Sequence, residues 1–105
     1  MKIKSIDDSA ITFDNGMDIT FDHVADCYEY NYAAFEEIDD LAKSFVFSEN
    51  LIFEAVPDYG FRFGNNPQNM VFVPCYSDQN GYYSSDVDIY YNDKQVLNVE
   101  CEIID

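Results

Sequence analysis

Positive charge is what this chain most lacks. Five of its 105 residues are Lys or Arg against 21 Asp or Glu, which leaves a formal charge of −16. Such a surface repels phosphate backbones and anionic headgroups, so neither nucleic acid nor a membrane is an expected direct partner. Long apolar runs are also missing. None approaches the roughly 20 residues that span a bilayer, and Met1-Lys2-Ile3-Lys4 leads into no apolar segment of the kind a secretory signal carries. Cysteine occurs three times (Cys27, Cys75, Cys101), an odd number at no recurrent spacing, which suits reduced thiols in a cytosol. Histidine occurs once, so a Ser-His-Asp triad has only His23 to use, and no residue order suggests one. Glycine is scarce, and Gly60-Phe61-Arg62-Phe63-Gly64 runs through a strand without the helix that a phosphate-cradling loop needs. Repeats, low-complexity tracts and linkers are absent, and the length fits a single domain over 1–105.

Aromatic residues are abundant. Nine Tyr and nine Phe, in a chain 48% hydrophobic, are incompatible with the disorder that strong acidity often signals. The acidity therefore belongs to a folded surface. It also exceeds need, because a net charge of about 2–8 keeps a small domain soluble.

The apolar pattern begins with a hairpin. Ile11 and Phe13 alternate with polar residues, Asp14-Asn15-Gly16 intervenes, and Met17, Ile19 and Phe21 resume the alternation. Pairing Phe13 with Met17 and Ile11 with Ile19 places the apolar side chains on one face, with Gly16 supplying a left-handed conformation in a three-residue loop. The segment Lys2–Ile6 is read as part of the same first strand. From Tyr32 to Phe47 the period changes. Phe35, Ile38, Leu41 or Ala42, and Phe45 fall at helical spacing, Asn31 is the candidate N-cap, and Ser48-Glu49-Asn50 ends the segment. Strands are expected again over Leu51–Val56, Phe61–Phe63 and Met70–Tyr76, the last carrying Pro74 as the mark of an edge or bulge. In the final hairpin, a three-residue Asn92-Asp93-Lys94 loop sets Val87, Ile89 and Tyr91 against Val99, Leu97 and Gln95. A two-residue loop would set Val87 against Asn98 and break the face matching, so the longer loop is expected. The predicted fold is α+β: an antiparallel β-sheet of about five to seven strands with one amphipathic helix packed on one face.

The same register places the acids. Asp86 falls opposite Glu100 and Asp88 opposite Asn98, with Glu102 further along and Tyr90 sharing the face. Asp18 and Asp22 point outward from the first hairpin, Asp22 opposite Asp8 if pairing extends that far. Glu36, Glu37, Asp39 and Asp40 form the exposed side of the helix, with like charges at i,i+3 and i,i+4. Outward carboxylates two residues apart on a strand stand roughly 6.6 Å apart, comparable to successive phosphates in an extended nucleic-acid strand. A surface of this kind fits the basic groove of a nucleic-acid-binding protein. The alternative is an acidic solvated surface with no partner. Exposed tyrosines, among them Tyr90 and the Tyr82-Tyr83 pair at a turn, favour protein contact.

Catalysis is not expected. His23 and Cys27 lie four apart, but an acidic surround raises a thiol pKa and suppresses the nucleophile. Arg62, the lone arginine, is read as an internal salt-bridge partner. His23, Asp26, Cys27 and Glu29 offer N, O and S ligands within seven residues, so a zinc site can be drawn if Cys75 or Cys101 approaches. No paired C-x-x-C spacing supports it, and scattered cysteines are commonly buried small hydrophobes. No metal or other cofactor is expected.

The run from Phe13-Asp14-Asn15-Gly16 through His23-Val24-Ala25-Asp26-Cys27-Tyr28-Glu29 to Tyr32-Ala33-Ala34 resembles short bacteriophage and prophage proteins. In these a DNG hairpin precedes His-x-x-Asp-Cys-Cys-Glu and a helix; here Tyr28 replaces the second Cys. The resemblance covers about a fifth of the chain and carries no activity with it. By size and charge the chain is also similar, as a class, to small acidic anti-CRISPR and anti-restriction inhibitors. That similarity implies a non-enzymatic viral protein, a DNA mimic acting in the host bacterial cytoplasm on a CRISPR effector such as Cas9. The expected contact residues are Asp86, Asp88, Tyr90, Glu100 and Glu102, with Glu36, Glu37, Asp39 and Asp40 as a second set. Open alternatives are an inhibitor of a restriction enzyme and a small metal-binding or regulatory phage domain around His23, Asp26, Cys27 and Glu29.

Overall fold

Alternation of apolar and polar residues runs through most of the chain. The computed structural model, which describes residues 1–23, 30–79 and 84–104, follows it into ten strands. These are β1 (Ile3–Ile6), β2 (Ala10–Phe13), β3 (Asp18–Asp22), β4 (Tyr30–Ala33), β5 (Ile52–Val56), β6 (Gly60–Asn66), β7 (Asn69–Asp78), β8 (Asp86–Tyr91), β9 (Lys94–Glu100) and β10 (Glu102–Ile104). The first sheet has the order β1-β2-β3-β8-β9, antiparallel throughout. The second is organised by the long β7. The first half of β7 pairs with β6, which pairs with β5; its second half pairs with β4 antiparallel and β10 parallel. The inward residues of both sheets merge into one buried cluster, with Ile11, Phe13, Ile19, Ile89 and Val99 from one side and Phe61, Phe63, Val71 and Val73 from the other. Phe47 bridges them, its ring 5.6 Å from both Phe13 and Phe63.

The α+β expectation is therefore wrong: the fold is a two-sheet β structure, and no α-helix occurs among the described residues. The segment read as a helix divides. Tyr30–Ala33 is strand, and Phe35–Glu37 and Asp40–Ser44 are separate 3₁₀ turns. The break falls at Ile38, in extended conformation, and at Asp39, whose carboxylate accepts from the Leu41 amide at 2.9 Å and so caps a new turn. An α-helix would also have aligned Glu36 with Asp40, like charges at i,i+4. As a result Phe35, Ile38 and Ala42 are buried while Leu41 and Phe45 are left exposed.

Local turn chemistry explains the rest. In the β2–β3 hairpin Phe13 N donates to Met17 O at 2.8 Å, Ile11 faces Ile19, and Gly16 has φ +89°, as the loop reading requires. Lys2–Ile6 does not extend that strand but folds back as β1. The Asp7 carboxylate accepts from the Ser9 amide, the Ser9 hydroxyl and the Ala10 amide at the turn, which holds its pKa below the ordinary value. Asp22 faces Asp88, not Asp8. The last hairpin uses the two-residue loop that face matching had excluded. Asn92 and Asp93 both adopt positive φ (49° and 68°), as a type I′ turn demands, and Tyr91 pairs with Lys94. A bulge between Ile89 and Tyr90 then restores Ile89 to Leu97 and Val87 to Val99. Pro74 sits where β7 passes from β6 to β4: Cys75 N donates to Tyr59 O at 3.0 Å, and Ala34 N donates to Pro74 O at 2.8 Å.

The two sheets are pinned at one end by buried polar residues. Asn31, 3% exposed, accepts from Ser77 Oγ at 2.5 Å, and its Nδ2 lies 2.9 Å from Ser84 O, 3.1 Å from Asp86 O and 3.3 Å from His23 Nε2. Asn31→Ala leaves these groups without their amide partner. It is expected to cost about 2–3 kcal/mol, measured by urea unfolding.

No helix among the described residues is long and apolar enough to cross a membrane.

Candidate functional site

Strand alternation sends Ile19, Phe21, Val87, Ile89 and Val99 inward, which leaves Asp18, Asp22, Asp86, Asp88, Tyr90 and Glu100 on the outer face of the first sheet. Asp22 stands opposite Asp88, and Asp86 opposite Glu100, two cross-strand pairs of like charge. Each costs a few tenths to about 1 kcal/mol. Neutral donors hold the carboxylates in place. Asn98 Nδ2 donates to Asp86 Oδ2 at 2.7 Å and Asp88 Oδ1 at 3.0 Å, and Gln95 Nε2 donates to Asp88 at 2.9 Å. The Ser84 hydroxyl donates to Asp86, and Ser85 Oγ donates to Glu100 at 2.9 Å. The Asn98 and Ser84 bonds keep the Asp86 pKa below the ordinary carboxylate value, so it stays ionised at neutral pH. Among the described residues the Lys and Arg ion pairs are Lys43–Asp40 and Arg62–Glu54, and neither touches this face. The result is a fixed row of anions oriented by neutral groups, suited to receiving cations from outside.

Glu102 does not belong to this row. β9 ends at Glu100, the Cys101 amide still bonds Ser85 O at 2.7 Å, and the chain then crosses to the other sheet, where Glu102 pairs with Tyr76. The acids expected on the helix are likewise not a row, because their helix is absent. Asp39 caps a turn, Asp40 pairs with Lys43 at 3.6 Å, and Glu37 accepts from the Tyr76 hydroxyl at 2.9 Å. That bond, with burial and the charges of Glu37 and Glu102, pushes the Tyr76 pKa up to about 12. Glu36 is exposed beside Ile38 and Lys43.

Sequence reasoning left Asp18 and Asp22 outside the site, although alternation already pointed them outward. It missed the role of Asn98, Gln95, Ser84 and Ser85. It also missed a tyrosine face on the second sheet, where Tyr30, Tyr32 and Tyr76 follow one another as tilted rings with centroids 4.9 and 5.7 Å apart. The helical reading of that segment had concealed its strand pairing. Arg62 is the internal ion-pair partner expected, its Nε 2.7 Å from Glu54 across β5–β6.

Of the drawn metal set only His23 is described; Asp26, Cys27 and Glu29 lie outside the described residues, as do Tyr82 and Tyr83. Among the described residues no three His, Cys, Asp or Glu side chains gather as metal ligands. Cys75 and Cys101 are buried free thiols. Their sulfurs lie within reach of backbone carbonyls, Cys75 Sγ of Val73 O and Cys101 Sγ of Val99 O, each at 3.9 Å. The neighbouring Cys101 thiol together with burial pushes the Cys75 thiol far above its ordinary pKa, away from thiolate chemistry.

In comparison with known proteins, the chain matches no family model, no curated protein and no solved structure.

Proposed function

We propose that this chain is a phage-encoded counter-defence inhibitor of the anti-CRISPR type. In this reading it acts in the host bacterial cytoplasm without catalysis. It occupies the basic groove of a nucleic-acid-handling effector such as Cas9 and so prevents DNA from binding there. The observation that carries the reading is the outer face of β3, β8 and β9. There Asp86, Asp88 and Glu100 are held by neutral side-chain donors and Asp22 accepts from the His23 backbone amide, in two like-charge pairs, with no Lys or Arg among the described residues bonded to them. The two like-charge oppositions cost the fold a few tenths to about 1 kcal/mol each, whereas a partner rich in Lys and Arg gains a preformed array of acceptors.

The test is calorimetric titration of the purified protein into a guide-loaded CRISPR effector, with a DNA-binding assay alongside. The expected result is loss of DNA binding, and an affinity that falls steadily with salt as the screening length drops from about 10 Å at 0.1 M to about 3 Å at 1 M. Inhibition of a restriction endonuclease instead, with the CRISPR effector untouched, would reassign the target. Failure against both at low salt would overturn the proposal.

A further inference from the structure

A second surface stands apart from the acidic row and does not depend on its role. The outer face of β7 presents Phe72, 44% exposed, beside the turn Asp40–Ser44, whose Leu41 and Phe45 are 65% and 41% exposed. These three side chains, with Ala42, Met70 and Val71, line a groove of about 350 Å³ whose rim carries Glu37 and Asp39. Arg62 lies opposite Phe72 on β6, but Glu54 engages it, so the rim stays negative. Further along β7 the same outward parity brings Tyr76, with Tyr32 across from it and Tyr30 beyond, 59% exposed. An apolar groove thus runs toward a row of tyrosine rings, with carboxylates at Glu37 and Glu102.

We propose that this groove is a docking site for a basic amphipathic segment of a partner protein. One apolar anchor of that segment lies between Leu41 and Phe72, and its Lys or Arg side chains reach Glu37, Glu102 and the faces of Tyr32 and Tyr30. Charge selects this occupant. A second copy of a −16 chain would bring like rims together, and an anionic lipid surface would be repelled. A basic segment meets both the apolar floor and the acidic rim, and tyrosine faces attract guanidinium and ammonium groups.

Two 16-residue probes of equal positive charge separate this from general attraction to an acidic protein: one alternates Leu with Lys and Arg, the other has Ser at every Leu. The amphipathic probe is expected to bind at least about tenfold more tightly, with NMR shifts concentrated at residues 37–45 and 70–76. Leu41→Ser with Phe72→Thr should remove that preference while leaving the Ser probe's affinity unchanged. Both positions are exposed, and a thermal melt confirms folding; Leu41→Ser alone serves as a second variant and should show part of the loss. Equal binding of the two probes, shifts centred on β8–β9, or a preference surviving in the double variant would each overturn the proposal. So would a dimer in sedimentation equilibrium that the two substitutions dissolve, since the occupant would then be a second copy.

Discussion

Under the proposed counter-defence function, reversing Asp86, Asp88 and Glu100 together to lysine is expected to abolish inhibition of the effector. Each reversal replaces an attraction to a basic groove with a repulsion. At about 1–2 kcal/mol per site the combined loss in affinity is on the order of a thousandfold. The double variant Asp88→Lys, Glu100→Lys is the sharper experiment. It turns the Asp22–Asp88 and Asp86–Glu100 oppositions into pairs of opposite charge, so the free protein should melt at an unchanged or higher temperature. Its affinity for the effector should nonetheless fall by roughly a hundredfold. Stability and binding then move in opposite directions, which a merely structural role for these acids does not produce. Full inhibition by the double variant would show that this face is not the contact.

Phe63→Ala is expected to bring the chain close to unfolding. Phe63 is fully buried at the middle of an aromatic cluster, with ring centroids 5.6 Å from Phe47, 6.3 Å from Phe53, 6.4 Å from Phe61 and 6.5 Å from Phe13. Removing the ring loses its transfer free energy and leaves a cavity that neighbours anchored in two different sheets cannot easily fill. The cost is about 3–5 kcal/mol, out of roughly 5–15 kcal/mol for a whole domain. Thermal denaturation should show a fall in Tm on the order of 20 °C. Phe72→Ala, on the opposite face of the same sheet, should shift it much less, because that residue is already 44% exposed.

The strands were legible where one face is buried and one is wet. Ile11, Phe13, Ile19, Val87, Ile89 and Val99 obey that rule, and the pairings inferred for Ile11 with Ile19, Val87 with Val99 and Asp86 with Glu100 are those observed. The final loop was misjudged because face matching was assumed to require an unbroken ladder. A bulge satisfies both the matching and the type I′ preference of Asn92-Asp93. The helix was misread because Phe35, Ile38 and Ala42 need burial at nearly the same spacing in 3₁₀ turns as in an α-helix. The deciding information lay in Asp39, a capping residue in mid-segment. Asn31 was assigned to a cap for the same reason, when its amide is instead consumed by β7 and β8. Glu102 was misplaced because nothing in a run of alternating residues announces that a strand changes sheets at Cys101.

The division of labour along β7 also sets the order in which this chain can assemble. Its pairing with β6 closes a loop of a few residues, and such a hairpin forms in about 1–10 μs. Its remaining partners, β4 and β10, must arrive from far along the chain, and β3 meets β8 across about seventy positions, from Ile19 to Tyr91. Contacts so distant in sequence demand loop closure before any compensating burial, which places folding on the millisecond-to-second scale of all-β domains. Until β10 arrives, the second half of β7 has an unpaired edge, so the interval before the last short strand docks is when the chain is most exposed to pairing with its neighbours.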